Sequence, residues 1–229
     1  MNTRTLTRLA GVSAMAAGII FAGIQPIHPR DALESVTTTQ WAIIQSLKTA
    51  MCIFGLFGLT GLYTRQANEA GWLGLAGYIL LSLFYALTLP LAYTEAFILP
   101  LLASAAPTFV TGFLGIFNGN PVEMNLGPLP VLYALAGFVG YVLGGLLFGI
   151  ATVRAGVLPR WAGVLLAVAA VSPPLISWLL PHPLDRALAV PMGVALVWLG
   201  YALWSERREP ATEHAEGATG PLRGRGVGA

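Results

Sequence analysis

Residues 144–167 read GGLLFGIATVRAGVLPRWAGVLLA and form the middle of a longer apolar segment, 131–180. Two arginines and a proline interrupt this segment. The apolar part on each side is long enough to cross a hydrocarbon core of about 30 Å at roughly 1.5 Å per helical residue. The stretch therefore predicts a transmembrane helical hairpin. Because basic loops remain on the cytoplasmic side of a membrane, Arg154 and Arg160 place this turn inside the cell and orient the other spans.

The composition of the whole chain agrees with a membrane protein. Hydrophobic residues make up 56% of the 229 residues and charged residues only 10%, whereas soluble domains carry about 25% charged residues. A formal net charge of +2 is too small to indicate a nucleic-acid partner, and the basic residues concentrate in the predicted cytoplasmic turns and termini. The single cysteine, Cys52, excludes an internal disulfide and a CxxC motif.

Apolar segments along the chain predict an all-α, polytopic transmembrane helix bundle of about six spans. The transmembrane domain comprises residues 1–206 and precedes a disordered cytoplasmic tail, 207–229, whose composition cannot support a packed core. The spans are expected at about 9–25, 41–63, 72–95, 131–153, 161–180 and 187–204. Both termini are then cytoplasmic. The first segment resembles a signal peptide, but its only small-x-small site lies inside the apolar run, which favours a retained span.

Local signals predict how these spans are joined. The polar residues of 64–70 indicate an inner turn, and Pro90 and the proline pair 173–174 are expected to kink or break their helices. Residues 108–117 lie between proline-containing turns. They are apolar enough to form a short helix on the outer interface or, alternatively, a re-entrant piece.

The two predicted hairpins share a short sequence pattern. Three residues around the first inner turn recur 89 residues later around the second: Arg65, Trp72 and Gly74 correspond to Arg154, Trp161 and Gly163. Both hairpins would enter from outside and turn inside, so they would be parallel repeats related by an axis along the membrane normal. The alternative interpretation is that arginine and tryptophan recur because both are common at inner helix ends.

Two charged residues fall within predicted spans. A charge inside a transmembrane helix costs about 3 kcal/mol or more and usually faces a partner or a wet cavity. Lys48 lies in the outer half of the second span, and Glu95 lies beyond Pro90 near the same side. The sequence therefore allows a Lys48–Glu95 pair. In the alternative interpretation, Lys48 extends its amine towards the outer interface and Glu95 is exposed.

Other polar side chains occupy the outer half of the second, third and fourth spans. With the two charged residues above, they form a candidate ligand-binding set: Gln45, Tyr85, Tyr93 and Tyr133. This set predicts an outward-facing pocket for a lipid or another amphiphile. The alternative is that these groups hydrogen-bond neighbouring helices to each other, since amides and hydroxyls commonly hold transmembrane helices together.

The motif His-Pro-x-Asp occurs in two predicted outer loops, as His28-Pro-Arg-Asp31 and His182-Pro-Leu-Asp185. Two imidazoles and two carboxylates at one face could bind zinc, so these four residues are weak candidates for metal ligands. In the structural alternative, each proline begins or ends a helix and each aspartate caps one. Asp31 also fits an N-cap with an acid, Glu34, three residues later. The sequence has no cofactor-binding motif, and no cofactor is expected.

The inner turn carries a resemblance to a known group of proteins. The sequence RAGVLPRWAGVLL at 154–166, together with RLAGV at 8–12, resembles small bacterial multi-pass proteins known only as a domain of unknown function. That family is similar in length, six-span layout and its LPRWxG turn, over most of residues 4–205. The resemblance implies a protein of the bacterial plasma membrane and carries over no catalytic residue.

Three functions follow from these patterns. The first is a non-catalytic membrane protein that holds a lipid, another amphiphile or a partner protein in an outer-leaflet cavity. The second is a small-molecule transporter or channel subunit, with Lys48 as its gate. The third is an outer-face, metal-dependent enzyme that uses the two His-Pro-x-Asp motifs. Frequent small-xxx-small spacing also predicts close helix contacts, within one chain or in a homo-oligomer.

Overall fold

A computed structural model describes residues 2–118, 124–180 and 184–206, and in these ranges the chain is all-α, without strands. The α-helices are α1 Thr3–Ile24, α2 Leu33–Val36, α3 Thr39–Tyr93, α4 Leu99–Leu102, α5 Pro107–Asn118, α6 Leu129–Ala134, α7 Gly144–Ala155, α8 Arg160–Ile176, α9 Leu184–Ala187 and α10 Val190–Ser205. Wider π-type turns connect α3 to α4 (Thr94–Ile98) and α6 to α7 (Leu135–Leu143). The predicted tail, 207–229, lies outside the described residues.

Five helical stretches are long and apolar enough to cross a membrane, which makes this a multi-pass membrane protein. They are Thr3–Ile27, Thr39–Leu102, Leu129–Ala155, Arg160–Leu179 and Leu184–Ser205. The stretch Thr39–Leu102 has 64 residues and would be about 96 Å long if straight, roughly three times the hydrocarbon thickness. It must therefore contain a reversal.

The reversal lies at Gly71, which has a φ of 57° and a ψ of −154°. The two arms of α3, 39–70 and 72–93, run antiparallel, because the Tyr63 and Tyr78 rings stack at 4.6 Å and the Thr60 hydroxyl lies 3.1 Å from that of Tyr78. The turn predicted over 64–70 was wrong, since those residues are helical. Polar side chains do not end a helix, whereas a glycine in this backbone conformation does.

Glycines allow α1 to pack closely against α10 and against the first arm of α3. A Cβ added to Gly11 would lie 2.7 Å from the Gly200 carbonyl oxygen, and one added to Gly58 would lie 2.8 Å from the Ala14 Cβ. Both contacts are antiparallel. The start of α1, the Gly71 turn and the end of α10 therefore lie at one end of the bundle, called here the basic end because it carries the arginines Arg8, Arg65, Arg154 and Arg160.

The second hairpin, α7 and α8, turns at Gly156, whose φ is 64°. Helix α7 packs antiparallel to the second arm of α3, since Gly77 meets Phe148 and Gly144 meets Leu81. Both hairpins therefore turn at the basic end, although their origin by duplication stays a prediction. Across them, the buried Gln66 amide donates to the Thr152 hydroxyl at 3.0 Å.

The prolines have different local effects. Helix α3 continues through Pro90 to Tyr93, and only then widens into the π-type turn. Helix α8 contains Pro173 and Pro174 and ends at Ile176, before Trp178, in agreement with the expected break. The short helix α5 packs its buried face against Trp41 and other residues at the end opposite the basic end. That opposite end is called the cavity end below.

Candidate functional site

A cavity of about 840 Å³ opens at the cavity end, within the usual size range of small-molecule sites. Its walls come from the end of α1 and the loop after it, both arms of α3 and the π-type turn that follows, the end of α5, the end of α6, and α9. Three basic and three acidic residues line it: Arg30, Lys48, Arg186, Asp31, Glu95 and Asp185. The apolar part of the wall includes Phe21, Ile24, Met51, Phe84 and Leu91. The cavity thus combines balanced charge with an apolar surface.

Lys48 and Glu95 form an ion pair in this cavity, with the Lys48 Nζ 2.5 Å from the Glu95 Oε2. The Glu95 side chain is 1% exposed and that of Lys48 17%. The other carboxylate oxygen, Glu95 Oε1, is buried and accepts no hydrogen bond from any described residue. The Trp41 indole donates to the Glu95 backbone carbonyl at 2.8 Å. This bond fixes the backbone that presents the carboxylate.

Lys48 is the only lysine in the chain. Its ammonium lies 5.7 Å from the ring centroid of Phe117, within cation–π range. The Phe117 ring in turn packs edge-on against Tyr133, with centroids 4.9 Å apart. The ends of α5 and α6 therefore cover the ammonium on one side, while the cavity remains on another.

A second ion pair closes the neighbouring part of the wall. The Arg186 guanidinium lies 2.5 Å from the Asp31 carboxylate, whose side chain is buried. The Asn118 amide donates to the Asp31 backbone carbonyl at 2.8 Å. The predicted N-cap role of Asp31 was wrong: α2 begins at Leu33 after Ala32, without a side-chain cap. Asp31 instead joins the loop after α1 to α5 and α9.

The structure brings together only part of the candidate ligand-binding set. Lys48, Glu95 and Tyr133 line the cavity, whereas the other three members do not. Gln45 is fully buried, and both its amide atoms lack a partner among the described residues. Tyr85 is buried in the core, and Tyr93 is 51% exposed.

The prediction failed for these three residues because the polarity of a side chain shows neither which face of a helix it occupies nor what packs against that face. An added Cβ at Gly55 would lie 2.5 Å from the Tyr85 ring, so this glycine makes room for Tyr85 inside the bundle. The Tyr93 ring packs 5.0 Å from that of Phe97 on the outer surface.

The described residues contain no group of three His, Cys, Asp or Glu side chains able to hold a metal ion. His182, one of the four weak metal candidates, lies outside them. The His28 Nδ1 is 2.8 Å from the Pro29 carbonyl oxygen, and its ring packs edge-on against Trp41. Asp31 is engaged by Arg186, and Asp185 lines the cavity.

Sequence reasoning missed Arg30, Arg186, Asn118 and Phe117 as parts of the cavity. A usable signal existed for the arginines. They flank Asp31 and Asp185, the only aspartates in the chain, and a chain with so few charges seldom places them at random near a membrane. Asn118 and Phe117 gave no comparable signal, because their role depends on where α5 packs.

The chain matches no known family model, no curated protein and no solved structure. The resemblance to the uncharacterised bacterial family therefore stays a prediction, and the site has to be interpreted from its own chemistry.

Proposed function

We propose that this chain is a non-catalytic protein of the bacterial plasma membrane that binds a lipid or a similar amphiphile at its cavity end. The polar group of the ligand enters the cavity in the outer leaflet, and its apolar part follows the apolar wall. The observation that carries the proposal is the buried Lys48–Glu95 pair facing a cavity of about 840 Å³.

The energetics of the pair support a binding role over a purely structural one. Burying two charges has a desolvation cost that their attraction often fails to recover, and well-packed apolar residues usually stabilise a fold as well or better. The core of this bundle already contains close glycine contacts and stacked aromatic rings. The presence of Lys48 and Glu95 in the bundle is therefore best explained by a ligand that binds to their charged groups.

The outer location of the cavity rests on the positions of the arginines. Four arginines at the basic end favour a cytoplasmic side there. Trp72 and Trp161 are 84% and 73% exposed near the same end, as expected for side chains at a membrane interface. In a variant without the native cysteine, Arg160→Cys should react with a membrane-impermeant thiol reagent only in inverted vesicles, and Arg30→Cys only in intact cells. Labelling of both from one side would contradict this topology.

Transport receives less support than binding. The buried polar side chains of the described residues lie towards the two ends, with Gln45 and Glu95 at one and Gln66 and Thr152 at the other. Between these ends, the core consists mainly of apolar and aromatic side chains such as Phe148, and the Ser82 hydroxyl is an isolated buried polar group there. A continuous polar route across the bundle is absent from the described part of the chain. Binding of a partner protein and homo-oligomerisation remain predictions.

A cavity-filling variant tests the proposed function. Thr88 lines the cavity, so Thr88→Trp should displace a co-purified amphiphile detected by native mass spectrometry after mild detergent extraction. Ile79 lies on the same arm of α3 but is 54% exposed, and Ile79→Trp is the matched control on the lipid-facing surface. Equal ligand retention by both variants and the parent protein would contradict binding in the cavity.

A further inference from the structure

We propose that the polar group recognised by the cavity is a phosphoethanolamine-type zwitterion, with a primary ammonium bound by Glu95 and a phosphate bound by Lys48 and Arg30. This inference rests on the proposed function of the cavity and adds the chemical class of the ligand. It uses the two charges of the buried pair and Arg30, a residue of the cavity wall that forms no ion pair with a described residue.

The ammonium half of the proposal rests on Glu95 Oε1. A buried carboxylate oxygen normally accepts hydrogen bonds, because an unsatisfied buried acceptor is unfavourable. Glu95 Oε1 accepts none from the described residues, although the side chain is 1% exposed and lines the cavity. An N–H group of the ligand supplies the missing donor. If that group is an ammonium, its positive charge also replaces that of Lys48 beside the carboxylate when the Lys48 side chain turns towards the phosphate.

The phosphate half of the proposal rests on two cations of the cavity wall, Lys48 and Arg30, whose N–H groups are not all used by described residues. The Lys48 ammonium has three N–H groups, and its contact with a described carboxylate is the ion pair with Glu95 Oε2, so donors remain for an anion. Arg30 is exposed at the cavity wall and forms no ion pair with any described residue. The third basic residue, Arg186, is already paired with Asp31. Lys48 and Arg30 are thus the cations available to an anion.

The balance of charge in the wall also selects a zwitterion. Among the described residues, three basic and three acidic ones line the cavity, so a ligand without net charge leaves no excess charge in a low-dielectric site. An anionic phosphoglycerol group would bring no donor of matching charge to Glu95. A phosphocholine group carries a cation without an N–H, so it cannot donate a hydrogen bond to Glu95 Oε1.

The experiment measures binding of dioleoyl phosphatidylethanolamine, phosphatidylcholine and phosphatidylglycerol to the detergent-solubilised full chain by native mass spectrometry. The ethanolamine lipid should bind at least tenfold more tightly than the choline lipid, the ratio expected for one charge-assisted hydrogen bond. Glu95→Gln should reduce this ratio towards one, whereas Glu34→Gln, an exposed carboxylate at the same end, should leave it unchanged. Arg30→Gln should weaken all three lipids by a similar factor.

Further arms keep the test decisive. If Glu95→Gln does not fold, the double variant Lys48→Met/Glu95→Gln replaces it, because it removes both charges together. This variant must also lose the preference for the ethanolamine lipid over the choline lipid. Free phosphoethanolamine distinguishes a soluble ligand from a lipid. If it raises the melting temperature of the parent protein but not that of Glu95→Gln, the ligand is a soluble zwitterion. If it leaves the melting temperature unchanged while the ethanolamine lipid binds tightly, the ligand is a lipid headgroup. If the ethanolamine and choline lipids bind equally well and Thr88→Trp abolishes both, the cavity binds lipid but does not select ethanolamine. That result would refute this inference and leave the proposed function standing. No binding of any probe would refute the proposed function as well.

Discussion

Replacing Lys48 with methionine should destabilise the protein, and a second replacement should restore it. Methionine keeps most of the length of the side chain but leaves the Glu95 carboxylate, which is 1% exposed, without its counter-ion. Breaking a buried ion pair from one side costs about 3–5 kcal/mol. The lower value of about 3 kcal/mol applies here, because water can enter the cavity beside Lys48, whose side chain is 17% exposed.

The double variant Lys48→Met/Glu95→Gln removes both charges and should return close to the parental stability. The coupling free energy from a double-mutant cycle is the sum of the two single losses minus that of the double variant, so it should be at least about 3 kcal/mol. Glu95→Gln alone should have a smaller effect than Lys48→Met, because the long lysine side chain can extend its ammonium into the cavity. The control pair is Arg65–Glu206 at the basic end, whose side chains are 26% and 28% exposed. Arg65→Met should change stability by about 1 kcal/mol or less.

The chain contains its own reporter for this measurement. Cys52 is the only cysteine and is 0% exposed, so a thiol-reactive fluorophore responds only when the bundle opens. On the scale of chains of this size, a loss of about 3 kcal/mol lowers the melting temperature by roughly 6–12 °C. A Lys48→Met protein that melts at the parental temperature, or a double variant as unstable as the sum of the single ones, would refute a buried, coupled pair.

Two further substitutions test packing and hydrogen bonding, each with a control in the same chain. Gly11→Val should lower the free energy of unfolding by about 1–3 kcal/mol through overpacking, since an added Cβ would lie 2.7 Å from the Gly200 carbonyl; Gly23→Val, with nothing within 4 Å of an added Cβ, should have little effect. Trp41→Phe should cost about 1–3 kcal/mol because it leaves the buried Glu95 carbonyl without its donor. Trp178→Phe removes an equivalent bond at an exposed site, where water replaces it, and should cost less.

Apolar segment length was enough to predict the fold class. A bilayer core sets a length that a helix must meet, and the segments around 144–167 and on both sides of Gly71 meet it. The exact turns were harder to predict. Polar residues before Gly71 indicated a loop, but they remain helical, because helix ends depend on backbone conformation more than on polarity.

The site was predictable only in part, since periodicity locates a residue along a helix but not the face that its neighbours leave open. Lys48 and Glu95 were identified because charges are rare and unfavourable in a span, so each demands a partner. Tyr85 and Gln45 are uncharged and fit a packed interior equally well, and the structure buries both. The Asp31–Arg186 pair joins residues 155 positions apart, and only the order in which the helices pack brings them together.

The position of Glu95 follows from a chain of local effects that begins at Pro90. Proline has no N–H, which weakens the regular hydrogen bonding of the helix before it, and the Thr94 hydroxyl donates to the Pro90 carbonyl at 2.9 Å. The next turn is π-type: the Leu99 N–H donates to the Thr94 carbonyl, five residues back. In an α-helix that N–H would bond to the Glu95 carbonyl. The Glu95 carbonyl is thereby released to accept from the Trp41 indole, and the widened turn directs the carboxylate towards Lys48, which explains how an irregular turn of this kind can build a binding site.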